Sequence, residues 1–218
     1  MTNDLNLRQR VIDELAWDAG VEAAHVGVAA RDGVITLSGH VDSYAQKLAA
    51  EQAARRVKGV KAIAEEIEVR LPSDRKTADD EIAGRAVRIL SWDVTVPKDK
   101  IAIKVQHGIV NLSGEVDWEF QRAAAEADIH RLTGVKFVVN KVTVRPQQKA
   151  ADLHNRIRAA LERTIETDIS GIHVDVKDHT VVLSGKVHAW PDREAAERAI
   201  WSAPGVTAVE NRIMIGPA

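Results

Sequence analysis

One nine-residue stretch occurs three times in this chain and fixes what it can fold into: Gly33 to Val41 (GVITLSGHV), Gly108 to Val116 (GIVNLSGEV) and His179 to Val187 (HTVVLSGKV). Aligning the three Leu-Ser-Gly triplets brings Leu7 to Val69, Ile82 to Val144 and Leu153 to Ile215 into register over 63 positions without a gap. An internal period of this length overrides any inference of domain number from the 218 residues alone. The expected organisation is therefore three tandem units, at residues 1–70, 79–145 and 152–216.

Each copy predicts the same five elements. Leu7, Val11, Ile12 and Leu15 recur at helical spacing, as do Ile82, Ala86, Val87 and Leu90, and then Leu153, Ile157 and Leu161. Alternating apolar residues follow, Val26, Val28 and Ala30 in the first copy, and mark a strand. The pairs Asp32-Gly33, His107-Gly108 and Asp178-His179 stand where a two-residue hairpin loop needs positive φ. The Leu-Ser-Gly strand comes next, then an Ala-rich helix whose buried face is Ala50, Ala54 and Val57, matched by Ala125, Ile129 and Leu132 and by Ala196, Ile200 and Ala203. Lys47 and Glu51, Arg122 and Glu126, and Arg193 and Glu197 are spaced as i, i+4 surface pairs on that helix. Gly59, Gly134 and Gly205 stop it, and a last strand closes each unit. With Gly33, Gly39, Gly108, Gly114 and Gly185, these glycines are read as structural turn residues. The order is helix, strand, strand, helix, strand. A unit this small is marginal alone, so contact between units is expected.

Composition removes several function classes. The chain carries 30 Lys and Arg against 32 Asp and Glu, spread evenly over the three copies, so no segment has the basic surplus that a nucleic acid backbone favours. With no Cys there is neither a thiolate nucleophile nor a Cys-based zinc site. The start, MTNDLNLRQRVIDELAWDAG, lacks the basic, apolar and small-residue order of an export signal, and no apolar run is long enough to span a membrane. A cytoplasmic location, with peripheral membrane association left open, is the expectation that follows.

No catalytic centre emerges. Ser38, Ser113 and Ser184 precede Gly, but the G-x-S-x-G elbow is absent and no base accompanies them. The eight His do not align across the copies: His25 falls opposite Lys100 and Gly171, and His40 opposite Glu115 and Lys186. His173 and His179 flank one hairpin without an evident third ligand. No catalytic residue, metal site or cofactor is expected, and the chain reads as a non-enzyme.

The strands GVITLSGHV, GIVNLSGEV and HTVVLSGKV, the Ala-rich helix and the closing segments GVKAIAEEIEV, GVKFVVNKVTV and GVTAVENRIMI resemble the BON domain, in all three copies and over nearly the whole chain. Copy one departs from the pattern with Glu65 and Glu66 where Asn is frequent, and copy three with His179 in place of the turn Gly. The resemblance implies an α+β fold, each unit two helices packed on a three-stranded mixed sheet. It also implies a bacterial protein associated with transport, osmotic stress or the envelope that binds phospholipid surfaces or other proteins. A cytoplasmic interaction scaffold, ligand- or cation-responsive, is the alternative, and self-association stays open.

The aromatic residues are the candidates for such a surface. Tyr44, Trp118 and Trp190 cluster just past the Leu-Ser-Gly strand, with Phe120 nearby and a cationic residue close behind; Trp201 falls opposite the Ala stripe. Rings beside cations suit a lipid interface or a partner. The competing reading is that they seal one copy against the next. Trp17 and Trp92, equivalent residues at the end of the first helix, are expected to be packing residues.

Overall fold

The computed structural model describes residues 2–72, 77–146, 157, 171–177, 179–203 and 205–216. The first unit runs α1 (Thr2–Trp17), a 3-10 turn (Ala23–His25), β1 (Val26–Arg31), β2 (Val34–Val41), α2 (Tyr44–Arg56) and β3 (Ala62–Val69). The second runs α3 (Asp79–Trp92), β4 (Ile101–Gln106), β5 (Ile109–Val116), α4 (Glu119–His130) and β6 (Phe137–Val144). In the third, β7 (Ile172–Lys177), β8 (Thr180–Val187), α5 (Trp190–Trp201) and β9 (Ala208–Ile215) are described. The helix expected around Leu153 and Leu161 lies outside the described residues, apart from Ile157, which is fully buried.

Each unit has its own three-stranded sheet with the Leu-Ser-Gly strand at its centre, antiparallel to the strand before it and parallel to the strand after it. The fold is α+β, with mixed sheets. The antiparallel pairs close through tight turns in which Asp32 (φ 53°) and Gly33 (φ 84°), and His107 (φ 53°) and Gly108 (φ 78°), both occupy the left-handed region. Asp178 of the third turn lies outside the described residues. At the second turn the Asp79 carboxylate accepts hydrogen bonds from the amides of His107 (2.7 Å) and Gly108 (2.9 Å), which hold its pKa below the usual value. The turn carbonyls in their turn accept from the residue that enters the third strand, Lys61 on Gly33, Lys136 on Gly108 and Thr207 on His179, each at 2.9 Å.

The glycine of the triplet has a steric cause. At Gly39, Gly114 and Gly185 φ is 108°, 142° and 125°, and an added Cβ would lie 2.1, 2.1 and 1.9 Å from the carbonyl oxygens of His25, Lys100 and Gly171. The chain entering the first strand therefore passes directly against the backbone of the second, and only a residue without a side chain admits it.

Inward-facing residues of each sheet meet the helices in a separate core. In the first unit Ile35, Leu37 and Ile67 pack with Leu7, Val11 and Leu15 of α1 and Ala50 and Ala54 of α2. The expected i, i+4 pairs on the second helices do not form. Lys47 instead reaches the sheet, donating to the Ile67 carbonyl (2.7 Å) and pairing with Glu65 (2.7 Å), and Arg193 donates to the carbonyls of Ile213 (3.2 Å) and Asn211 (3.0 Å). Arg122 turns to Glu119, with both contacts at 2.6 Å. A helix packed on a sheet offers its flanking cations unpaired strand carbonyls, and these outcompete a solvated carboxylate one turn away.

The same flank explains the closing motif. Asn140 and Asn211 each accept from the amide two residues on (3.1 Å in both) and donate to the helix carboxylates Glu126 (3.0 Å) and Glu197 (2.9 Å). In the first unit Glu65 accepts from the Ile67 amide (2.6 Å) but has no donor to offer Glu51. Its second oxygen takes Lys47, and Glu51 pairs with Arg55 at 2.5 Å. The departure of copy one is thus a compensated exchange of a hydrogen bond for two ion pairs.

Candidate functional site

The second helices of the three units meet head to tail. Tyr44, the first residue of α2, is 6% exposed and sits in the core of the second unit, its ring edge-on to His130 (5.2 Å between centroids) and Phe137 (5.8 Å). Burial raises the pKa of its phenol, which faces the Val138 backbone. Trp190, the first residue of α5 and the alignment equivalent of Tyr44, packs against the core of the first unit under the Arg55 guanidinium, 4.9 Å from its ring. Arg55 also pairs with Glu194 at 3.2 Å. Between the second and third units Arg122, near the start of α4, lies 5.5 Å over the ring of Trp201 at the end of α5. Arg55, His130 and Trp201 are themselves equivalent positions. The start of each second helix therefore meets the end of the next unit's, from first to second, second to third and third back to first. The three units close into a ring.

An open cavity of about 530 Å³ occupies the junction, lined by Arg55 and Arg56 of the first unit, Glu119 and Arg122 of the second, and Trp190, Glu194, Glu197, Arg198 and Trp201 of the third. Arg56 is held by Glu14 (2.8 Å) and Asp18 (2.6 Å), contacts that fasten the end of α1 to α2 and hold the Asp18 carboxyl below its usual range.

The five aromatic candidates therefore divide. Tyr44, Trp190 and Trp201 lie between units, whereas Trp118 (38% exposed) and Phe120 (57%) stand at the surface around the start of α4. The expectation for Trp17 and Trp92 is overturned: they are 86% and 85% exposed. The reason is angular. Leu15 and Leu90 end the buried stripes, and a residue two positions on is turned about 200° around the helix axis, to the far side. That spacing was readable in the sequence. Beside Trp92 the loop residue Val94 is 98% exposed. A groove of about 370 Å³ runs along the end of α3 and edge strand β4, lined by Val87, Leu90, Trp92, Val96, Pro97 and Ile101 together with Lys98 and Asp99.

Among the described residues no three His, Asp or Glu side chains converge as a metal site, and no helix is long and apolar enough to cross a membrane. His25 and His40 do meet, ring centroids 4.7 Å apart.

Architecture and surface together define a tandem-repeat α+β protein that presents aromatic residues on a ring of like units. The chain belongs to the BON domain family, whose pattern matches residues 3–70, 78–146 and 149–217. It is similar to osmotically-inducible protein Y of Escherichia coli, 30% identical over 142 residues that make up 63% of this chain and 71% of that protein. Two structures of CdsD, a structural protein of the Type III secretion system of Chlamydia trachomatis, align with it at a TM-score of 0.27. They are 18% and 17% identical over 98% of this chain and cover 93% and 98% of theirs.

Proposed function

We propose that this chain is a non-enzymatic, osmotic-stress-associated BON protein that binds phospholipid membrane surfaces. The osmotic induction for which the Escherichia coli relative is named supports the stress context. The observation that carries the membrane reading is the apolar surface at the end of α3, where Trp92 and Val94 stand almost fully in solvent beside the exposed Lys98 and Lys100. An indole and a valine held in solvent, followed in the same loop by Lys98 and Lys100 alongside Asp93 and Asp99, suit the apolar-to-wet boundary of a bilayer. Trp17 supplies a second insertion point; an aspartate follows each indole, Asp18 and Asp93, but Ala23 and His25 stand where the second unit has Lys98 and Lys100, so the second unit dominates.

Co-sedimentation with vesicles containing phosphatidylglycerol tests this. Binding at low salt should weaken about tenfold in Trp92→Ala, as expected for losing one interfacial indole, and less in Trp17→Ala. An unmodified chain that stays in the supernatant at low salt would overturn the reading. A protein partner is the second reading, and Trp118 with Phe120 is the surface that favours it; Phe120→Ala should then abolish capture of that partner while leaving vesicle binding unchanged.

A further inference from the structure

Two imidazoles meet on the open face of the first sheet, at positions where the fold does not call for them. The register of β1 on β2 ends with Val26 opposite Gly39, so His25 and His40 are the next pair along. The close approach that demands Gly39 also sets them side by side, because the His25 carbonyl lies against that glycine and both side chains start from backbone that cannot shift. Their ring centroids are 4.7 Å apart with the planes tilted by 32°, neither stacked in parallel nor edge-on. His25 is exposed and His40 half-buried, and among the described residues no nitrogen of either ring has a hydrogen-bond partner. The second copy carries Lys100 and Glu115 at these positions and the third Gly171 and Lys186, on the same three-stranded sheet. Packing therefore does not account for imidazole at both places in the first.

The spacing of the rings says what they can hold. Zinc–nitrogen bonds of about 2.0–2.1 Å at a tetrahedral angle place the centroids of two imidazoles about 5 Å apart, close to the separation already present. Imidazole nitrogen suits zinc, nickel and copper, whereas magnesium and calcium take oxygen ligands. The charges on the same face favour a cation. Glu68 is the parallel-strand partner of His40 and Glu66 that of Ser38, against the single guanidinium of Arg70, which pairs with Glu68 at 2.8 Å. Among the described residues no carboxylate closes on the two rings as a third ligand, so water completes the coordination. We propose that His25 and His40 together bind one divalent transition-metal ion of the zinc, nickel and copper class, as a two-imidazole chelate on the surface of the first unit. The site needs neither the junction between units nor the surface at Trp92.

Calorimetric titration of the full chain, without a polyhistidine tag, with zinc chloride in a buffer that does not bind metal is the test. Saturable binding of one zinc ion per chain is expected, with a rise in Tm. Magnesium chloride over the same range should give no saturable heat. His25→Gln and His40→Gln each leave a single imidazole, and each should weaken zinc binding at least about tenfold, the scale lost even when a group behind a metal ligand is removed. Both should fold, since the other copies fill these positions with other residues, and circular dichroism checks it. His188→Gln, which removes an exposed histidine of the third unit, should bind as the unmodified chain does. Nitrogen-15 spectra of the imidazole side chains should show zinc moving the resonances of His25 and His40. Zinc heat that does not saturate, binding indifferent to either His25→Gln or His40→Gln, an equal loss in His188→Gln, or magnesium binding of equal strength would overturn the proposal.

Discussion

A methyl group at Gly114 would stand 2.1 Å from the Lys100 carbonyl oxygen on a backbone already at φ 142°, so neither partner can give way without breaking the β4–β5 ladder. Gly114→Ala should cost about 2–4 kcal/mol in urea unfolding. Gly84 is the contrasting case: it lies within α3 with nothing within 4 Å of an added Cβ, and Gly84→Ala should gain about 0.5–1 kcal/mol. A titratable residue gives a third measurable effect. Asp128 on α4 faces Asp93, and burial, then the charge and hydrogen bond of that neighbour, raise its pKa, while Arg131 opposes them weakly. Asp93 is held down by the hydroxyl and amide of Thr95 (both 2.7 Å), so of the two carboxyls it is Asp128 whose pKa rises. A raised folded-state pKa means that the ionised form costs stability above that value, and the cost disappears as pH falls through it. Asp128→Asn should therefore stabilise the protein at pH 7 by up to about 1 kcal/mol, with the gain shrinking on acidification. Thermal melts from pH 7 to pH 4 measure it.

At the scale of elements, what the sequence made legible was whatever the period repeats. Strand alternation, turn glycines and helix stripes occur three times each, and any local accident in one copy is corrected by the other two. Hydrogen-bond partners were less legible, because a cation such as Lys47 can reach a carboxylate one turn away or a strand carbonyl across the layer, and only the packing of helix on sheet decides. Asn140 is the test. It joins β6 to α4 through the Glu126 carboxylate, the Arg122 carbonyl (3.2 Å) and the Val142 amide, so Asn140→Ala leaves three half-buried groups short of a partner. A loss of about 1–3 kcal/mol is expected by chemical denaturation. The surface at Trp92 was legible in part. Its helical angle to Leu90 separates it from the core, but its equivalence to Trp17 suggested a shared packing role.

For the whole molecule, the contacts between units were the least legible, since the three junctions use different chemistry at equivalent positions: Tyr44 against His130, Arg122 against Trp201, and Trp190 against Arg55. No recurring residue announces them. Trp190→Ala should uncouple the third unit from the first, and differential scanning calorimetry should then resolve a separate low-temperature transition where the unmodified chain shows the units melting together.

The ring also has a handed sequence of contacts, in which every unit offers one end of its second helix forward and receives its neighbour's behind. Three units exhaust these valences, leaving none for another molecule. A shortened protein with only the first two would keep an unfilled socket at one end and a loose plug at the other, and such chains would join to one another in solution. By returning to its start after the third unit, the polypeptide caps its own growth and leaves its outward surfaces free for whatever they engage.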